Sequence, residues 1–308
     1  MEILNSVQKQ STPLCIALGC FDGLHIGHRR VITSMCRYAK ENDLRSAVFT
    51  FTEPPASVLG KSPYRMLLTQ PDKLAVLEKL GVDLCFSIDF LTVRNITAQE
   101  FIDRILIDTL NTKAVFCGFN YRFGKTASGN SALLKTECEQ NNIDVFVSEP
   151  VCYGDTTVSS SKIRDLIQTG EIRIANKLLC MPFSVESVIT EGRHNGRTVG
   201  IPTINQNLPK HFVTPRKGVY ASFVIIDGKR YEAITNIGTR PTVSGDSLNI
   251  ETHILNNYND CIYGKTVRTQ LLEFVRDEQK FDDLEKLSVQ IKKDIEYIYK
   301  NGIYNQNK

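Results

Sequence analysis

The sequence predicts two domains of different class, a parallel α/β sheet followed by a β-barrel closed by a helix. Three observations predict it. Up to about residue 180, short apolar runs alternate with helical patterns. Beyond Met181-Pro182 the runs become strand-like and are split by turn residues. The final stretch reads as one amphipathic helix, with Leu284, Leu287, Ile291, Ile295 and Ile298 at spacings of three and four.

Each element follows from the same signals. Leu14–Leu18 is a continuous apolar run and therefore a buried strand. A helix follows from Gly27, with Val31, Ile32, Met35 and Ala39 on one face, and then a second strand at Ala47–Phe51. Further strands are predicted at Leu84–Ile88, Ala114–Cys117 and Val145–Val147, and helices at Asp72–Leu80, Ala98–Leu110 and Ser131–Asn141. Strands apolar on both faces and separated by helices form parallel sheets. In the second half, Val219–Ile226 is followed by Asp227-Gly228 and a second run to Ile237, a strong hairpin signal. Strands at Asn249–Leu255 and Val267–Val275 complete the barrel.

Bulk properties exclude several classes. The 308 residues suffice for two domains, and 42% hydrophobic with 23% charged residues is globular composition. A net charge of +3 is too small to argue for a nucleic-acid partner, while a phosphate-bearing small ligand needs only a local basic site. No run is long enough to span a bilayer, and Met1–Pro13 lacks the apolar core of a signal peptide. The nine cysteines are scattered without a CxxC pair, which reads as reduced thiols in a cytoplasmic protein.

The densest chemistry lies where the first strand meets the first helix, Leu18-Gly19-Cys20-Phe21-Asp22-Gly23-Leu24-His25-Ile26-Gly27-His28. Glycines there allow a tight turn and close approach of a phosphate to backbone N–H groups at the helix N-terminus. His25 and His28 share a face of the first turn and offer donors to the charge that develops in nucleotidyl transfer. A lone His pair more often caps or packs; the Gly-spaced strand-to-helix frame favours the functional reading. A zinc site lacks its third and fourth ligands. Gly124-Lys125-Thr126 is not a P-loop, because Gly118 to Gly124 encloses five residues where that loop needs four, and Ser128-Gly129-Asn130 breaks the helix that should follow.

FDGLHIGH resembles the HxGH signature of nucleotidyltransferases, in the form found in bacterial bifunctional riboflavin kinase/FMN adenylyltransferases. The resemblance continues through Gly118–Gly124 and at Val158-Ser159-Ser160-Ser161-Lys162-Ile163-Arg164, with Ser161 where the family has Thr. It implies that Gly19, Phe21, Asp22, His25, Gly27, His28, Asn120, Ser159, Ser160, Ser161 and Arg164 bind ATP and its phosphates, with His25, His28 and Arg164 catalytic. By itself the serine run could be only a helix cap. After the second strand the family carries a DPHP-like turn, and here the chain reads Thr52-Glu53-Pro54-Pro55 without the His.

Gly192–Asn205 resembles the riboflavin kinase signature GRxxGxPTxN, and Gly218-Val219-Tyr220, Asn236–Thr242, Glu251-Thr252-His253 and Tyr263-Gly264 follow in the family's order. Thr203 and Asn205 alternate along an extended segment and so offer oxygen ligands on one side to Mg²⁺ and a phosphate. The resemblance makes Glu251 the catalytic base, and makes Gly192, Gly196, Arg197, Gly200, Pro202, Thr203, Asn205 and Asn236 the ATP- and flavin-binding set. Taken alone, Glu251 reads as a solvated strand residue, His253 as a cross-strand packing residue and Pro202 and Pro241 as turn formers. The implied architecture is a Rossmann-like HxGH nucleotidyltransferase domain over 1–181 and a Greek-key riboflavin kinase β-barrel with a terminal helix over 182–308. The implied chemistry is phosphorylation of riboflavin to FMN and adenylylation of FMN to FAD, with Mg²⁺ and ATP and without nucleic-acid or membrane partners. Two alternatives remain: a kinase with weak or lost adenylyltransferase activity, and a non-catalytic flavin or nucleotide sensor.

Overall fold

The computed structural model describes residues 1–60, 64–189, 203–209, 211–242, 245–255, 264–281 and 283–305. Of the expected site residues, Gly192, Gly196, Arg197, Gly200 and Pro202 lie outside the described residues. The chain divides into two compact units, Met1–Ser160 and Ser161–Lys308.

The first unit holds six parallel strands: β1 (Glu2–Leu4), β2 (Leu14–Leu18), β3 (Arg45–Phe51), β4 (Leu84–Ile88), β5 (Thr112–Gly118) and β6 (Asp144–Ser148). Their order across the sheet is β1-β4-β3-β2-β5-β6. Every pairing is parallel. From β2 the chain steps one way to β3 and β4 and the other way to β5 and β6. The order therefore reverses between β2 and β5, where ligands bind in open sheets of this kind. Leu14–Leu18 and Leu84–Ile88 are buried at every position, as continuous apolar runs require.

Helix α1 (Ile26–Glu41) buries the expected Val31, Ile32, Met35 and Ala39. Helices α2 (Gln70–Lys79) and α3 (Ser131–Gln140) fall within two residues of their predicted starts. The predicted helix at Ala98–Leu110 is real but wound differently. A capped turn, Ala98–Glu100, continues as a π-helix over Phe101–Thr109, closed by Leu110 N–H donating to Ile105 O at 2.9 Å. β1 was not expected: its three residues add to the free edge of β4, in a stretch too short to show periodicity.

The second unit starts with α4 (Ser160–Thr169), whose first residue belongs to the other unit, and α5 (Ile172–Leu179). α4 begins in the serine run, read from the sequence as a helix start; α5 was not among the expected elements, and both precede the expected boundary at 181. α5 buries Ile172, Ala175, Leu178 and Leu179. It is tied to the sheet by Asn176, which donates to Leu271 O and accepts from Phe183 N–H, both at 2.7 Å.

Six antiparallel strands follow: β7 (Phe183–Val188), β8 (Thr203–Asn207), β9 (Gly218–Ile226), β10 (Lys229–Thr242), β11 (Gly245–Ile254) and β12 (Thr266–Arg276). Their order is β7-β12-β9-β10-β11-β8. β9, β10 and β11 form a meander with β12 returning beside β9 and β8 beside β11, the order that defines a Greek key. One face buries Ile204, Val224, Ala233 and Val267. On the same face Ser222, Thr235 and Thr252 form a buried ladder of hydroxyl hydrogen bonds, at 2.7 and 2.9 Å. The other face packs Val219, Ala221, Phe223 and Ile234 against Ile298 of helix α6 (Leu284–Lys300). In α6 the apolar stripe contains a charge that periodicity hides. Asp294 is buried, and the Arg276 guanidinium of β12 donates to both its carboxylate oxygens, at 2.9–3.0 Å.

Candidate functional site

In the first unit the motif begins where β2 ends. Gly19 N–H still pairs with Phe49 O of β3, and the chain then turns through positive φ at Phe21 (51°), Gly23 (82°) and Leu24 (41°). This places the Phe21 ring against Gly19: a Cβ there would lie 2.9 Å from the ring, so glycine is required by packing. Gly27 plays the same part for His25, whose ring would be 3.2 Å from an added Cβ. The expected tight turn is made at Gly23, while Gly19 and Gly27 leave space for an aromatic ring.

His25 caps α1, its Nδ1 accepting from His28 N–H at 3.3 Å. An accepting Nδ1 carries no proton, so the neutral ring holds its hydrogen on Nε2 and is a donor there. The His25 and His28 rings stack at 3.6 Å between centroids, and Phe21 meets His28 edge-on at 5.4 Å. Burial lowers the His25 pKa to about 4. Burial, then the adjacent His25, hold His28 well below its ordinary value. Both are neutral donors at neutral pH. His28 Nδ1 is buried with no hydrogen-bond partner among the described residues.

Asp22 is buried, and its carboxylate accepts from Tyr64 Oη at 2.6 Å and Leu67 N–H at 3.1 Å. Its backbone carbonyl accepts from Ser160 Oγ at 2.9 Å, which brings Ser160 to the motif. Asn120 sits exposed on the turn after β5, the strand beside β2. Ser159 is half-buried just before α4. Ser161 and Arg164 are three apart on the first turns of α4 and belong to the second unit. After Gly124, Lys125–Ala127 forms only a 3₁₀ turn, which agrees with the rejection of a P-loop.

Next to the motif is a cavity of about 360 Å³, lined by Cys20, Thr52, Pro54, Met66, Leu68 and Lys73 among others. Lys73 is buried and donates to Phe51 O at 2.6 Å, and burial lowers its pKa. Thr52, Glu53 and Pro54, where the family carries its DPHP-like turn, form one wall. Sequence reasoning missed Lys73. It stands inside a helical pattern, and only its burial marks it.

In the second unit the site is built by register. Asn205 of β8 pairs with Glu251 of β11, and Glu251 pairs on its other side with Asn236 of β10. Residues opposite each other in antiparallel strands share a face, so these three side chains stand in one row. Thr203 and His253, also paired, lie one step along the same face. This is the face that α6 covers elsewhere, opposite the hydroxyl ladder. The structure thus brings together Thr203, Asn205, Asn236 and Glu251. It adds Asn249, two residues before Glu251, whose amide donates to Glu251 Oε1 at 2.7 Å. Gly238, across from Asn249, lies under the Glu278 carboxylate, which would have to move aside for a Cβ there.

Residues 7–162 match the FAD synthetase family and residues 179–301 match the riboflavin kinase family. The chain belongs to the bifunctional riboflavin kinase/FMN adenylyltransferases. The Bacillus subtilis bifunctional riboflavin kinase/FMN adenylyltransferase is 31% identical over 294 residues, covering 94% of this chain and 92% of its own. The Escherichia coli K12 enzyme of the same name is 32% identical, covering 95% and 94%. A crystal structure of a Streptococcus pneumoniae protein, described as a macrolide-efflux protein, superposes with a TM-score of 0.88 at 30% identity, covering 98% of this chain and 99% of that one. Among the described residues of this chain, no helix is long and apolar enough to cross a membrane. The chain therefore carries both a riboflavin kinase and an FMN adenylyltransferase domain, and with them the route from riboflavin through FMN to FAD.

Proposed function

We propose that the two sets of side chains described above carry the two reactions, each within its own domain. The observation that carries this reading is the row Asn205–Glu251–Asn236, which brings a carboxylate and two carboxamides together from three strands.

In the kinase, the ribityl primary hydroxyl attacks the γ-phosphorus of ATP, its proton passes to Glu251, and the bond to ADP breaks. The Thr203 hydroxyl and the Asn205 carbonyl are hard oxygen donors on one face, which suits Mg²⁺. Those two would hold it, and bound there it would neutralise charge on the nucleotide phosphates. Gly192, Gly196, Arg197, Gly200 and Pro202 complete the nucleotide site by resemblance to the family.

In the adenylyltransferase, an FMN phosphate oxygen attacks the α-phosphorus of ATP and pyrophosphate leaves, so no proton has to be removed. What the site supplies is donors for growing negative charge: His25 Nε2–H, the neutral His28 ring and the N–H groups of α1. The resemblance to the family adds Asn120, Ser159, Ser160, Ser161 and Arg164 to the phosphate-binding set. The cavity beside the motif has the volume of a small-molecule site and a mixed wall, with Pro54, Met66 and Leu68 to pack a flavin ring and Asp22, Glu53, Gln70 and Lys73 to meet polar groups. At Thr52, Glu53 and Pro54 the departure from the family falls on that wall, where it bears on how the flavin is seated, while the His pair itself is intact. All eight cysteines among the described residues are free, in keeping with a cytoplasmic enzyme.

A time course decides it. The purified chain is given riboflavin and Mg-ATP, and the flavins are separated. FMN followed by FAD is expected. FMN alone would mean a lost adenylyltransferase, and neither product would mean a flavin-binding protein without catalysis.

A further inference from the structure

Asn249 has no part in the motifs that name the family, yet it touches two of the residues assigned above. It stands two positions before Glu251 on β11, so the two side chains share a face. Its amide nitrogen donates to Glu251 Oε1 at 2.7 Å and to Asn205 Oδ1 at 3.3 Å. The orientation is fixed by chemistry. A carboxylate only accepts, so the edge of Asn249 that meets Glu251 must be its NH₂. The second hydrogen of that NH₂ reaches Asn205, which must answer with its carbonyl oxygen. Asn249 is 9% exposed and Asn205 is 4% exposed, so water competes weakly for these bonds.

We propose that Asn249 is a positioning residue for phosphoryl transfer, whose one NH₂ group holds the Glu251 carboxylate and the Asn205 carboxamide in a fixed mutual geometry. It acts through them and touches no substrate. Oε1 of Glu251 is engaged by the bond to Asn249, which disfavours rotation of the carboxylate and leaves Oε2 as the oxygen presented to the riboflavin hydroxyl. Asn205 is held with its oxygen, not its nitrogen, toward the same side, as a ligand to a hard cation requires. Without Asn249 both groups keep their chemistry and lose their alignment. The inference rests on the assignment of Glu251 as the base.

The test uses the full chain. Asn249→Leu keeps the volume and removes both bonds. Its kcat for FMN formation should fall by about 10- to 100-fold, the scale of a small misplacement of reacting groups. The KM for riboflavin should stay within about threefold, and adenylylation of supplied FMN should be unchanged. Asn249→Gln, which keeps the NH₂, should recover part of the loss. In a Glu251→Gln background the same change should cost clearly less than in the wild type, because only the Asn205 alignment is left to lose. A normal rate for Asn249→Leu beside an inactive Glu251→Gln would overturn the positioning role and leave the base assignment standing. A normal rate for Glu251→Gln would instead sink the base assignment itself. If Asn249→Leu does not fold, Asn249→Ser decides: a loss that multiplies in full with Glu251→Gln means a structural role and overturns the proposal.

Discussion

His25, His28 and Phe21 of the adenylyltransferase lie within a single turn of chain, whereas Asn205, Asn236 and Glu251 of the kinase come from three strands. The first group is held by local backbone geometry, with positive φ at Phe21, Gly23 and Leu24 and two glycines that clear space for rings. The second is held by register, and a slip of one residue between β8 and β11 would send Asn205 to the opposite face from Glu251. A contiguous site survives distant changes as long as its turn survives. A site assembled across strands depends on every ladder that sets its rows.

The sharpest way to break this comparison is to disable one site and read both. Glu251→Gln keeps the size of the side chain and removes the basic carboxylate. The kcat for FMN formation should fall by roughly 10²–10⁴-fold, while FAD synthesis from supplied FMN continues. Supplying FMN should therefore bypass the defect, which neither unfolding nor a shared active site permits. A near-normal rate of riboflavin phosphorylation would return Glu251 to the status of a solvated strand residue.

The reciprocal change is His28→Ala. Loss of one preorganised donor should slow FAD formation by about a hundredfold. Riboflavin phosphorylation in the same preparation should be nearly untouched. If both activities decline together, His28 supports the fold and does not act on phosphate.

A smaller effect separates the two units by acid. Burial keeps His25 neutral down to about pH 4, against 6.5 when exposed. Between those values the unfolded chain binds a proton that the folded chain refuses, so stability rises with pH across the window. It is fully present above 6.5 and lost as the pH falls toward 4, by up to about 3 kcal/mol at ~1.4 kcal/mol per pH unit. His28 acts in the same direction. Thermal melts of the wild type and His25→Asn between pH 7 and pH 4 measure it, and the variant should lose less on acidification. Parallel losses in the two proteins would show that other groups control the acid response.

The same contrast explains what could be read from the residues alone. The strand-turn-helix motif is contiguous, so its spacing, its place at the end of β2 and the buried face of α1 were all legible. Thr203 and Asn205 were legible as a pair because alternation puts them on one side. The row joining Asn205, Glu251 and Asn236 was not derivable from spacing, because register is decided by turns and packing far from the three residues; only the resemblance pointed to it. Asn249 and Lys73 carried no signal, since each gains meaning from partners that are distant in sequence or from burial. α5 is different: Ile172, Ala175 and Leu178 recur at helical spacing, and that period was there to be found.

The Arg276–Asp294 pair has a consequence for the order in which the kinase barrel matures. Arg276 ends β12 and is made before Asp294, which lies in α6. Until that helix docks, a cation on the last strand has no carboxylate to meet, and enclosing it alone would be strongly unfavourable. Strand and helix are thus bound to close together, and the newborn barrel waits for a segment outside its own sheet. Hydrogen exchange would register this as one shared opening free energy for β12 and α6, and separate values would disconnect them.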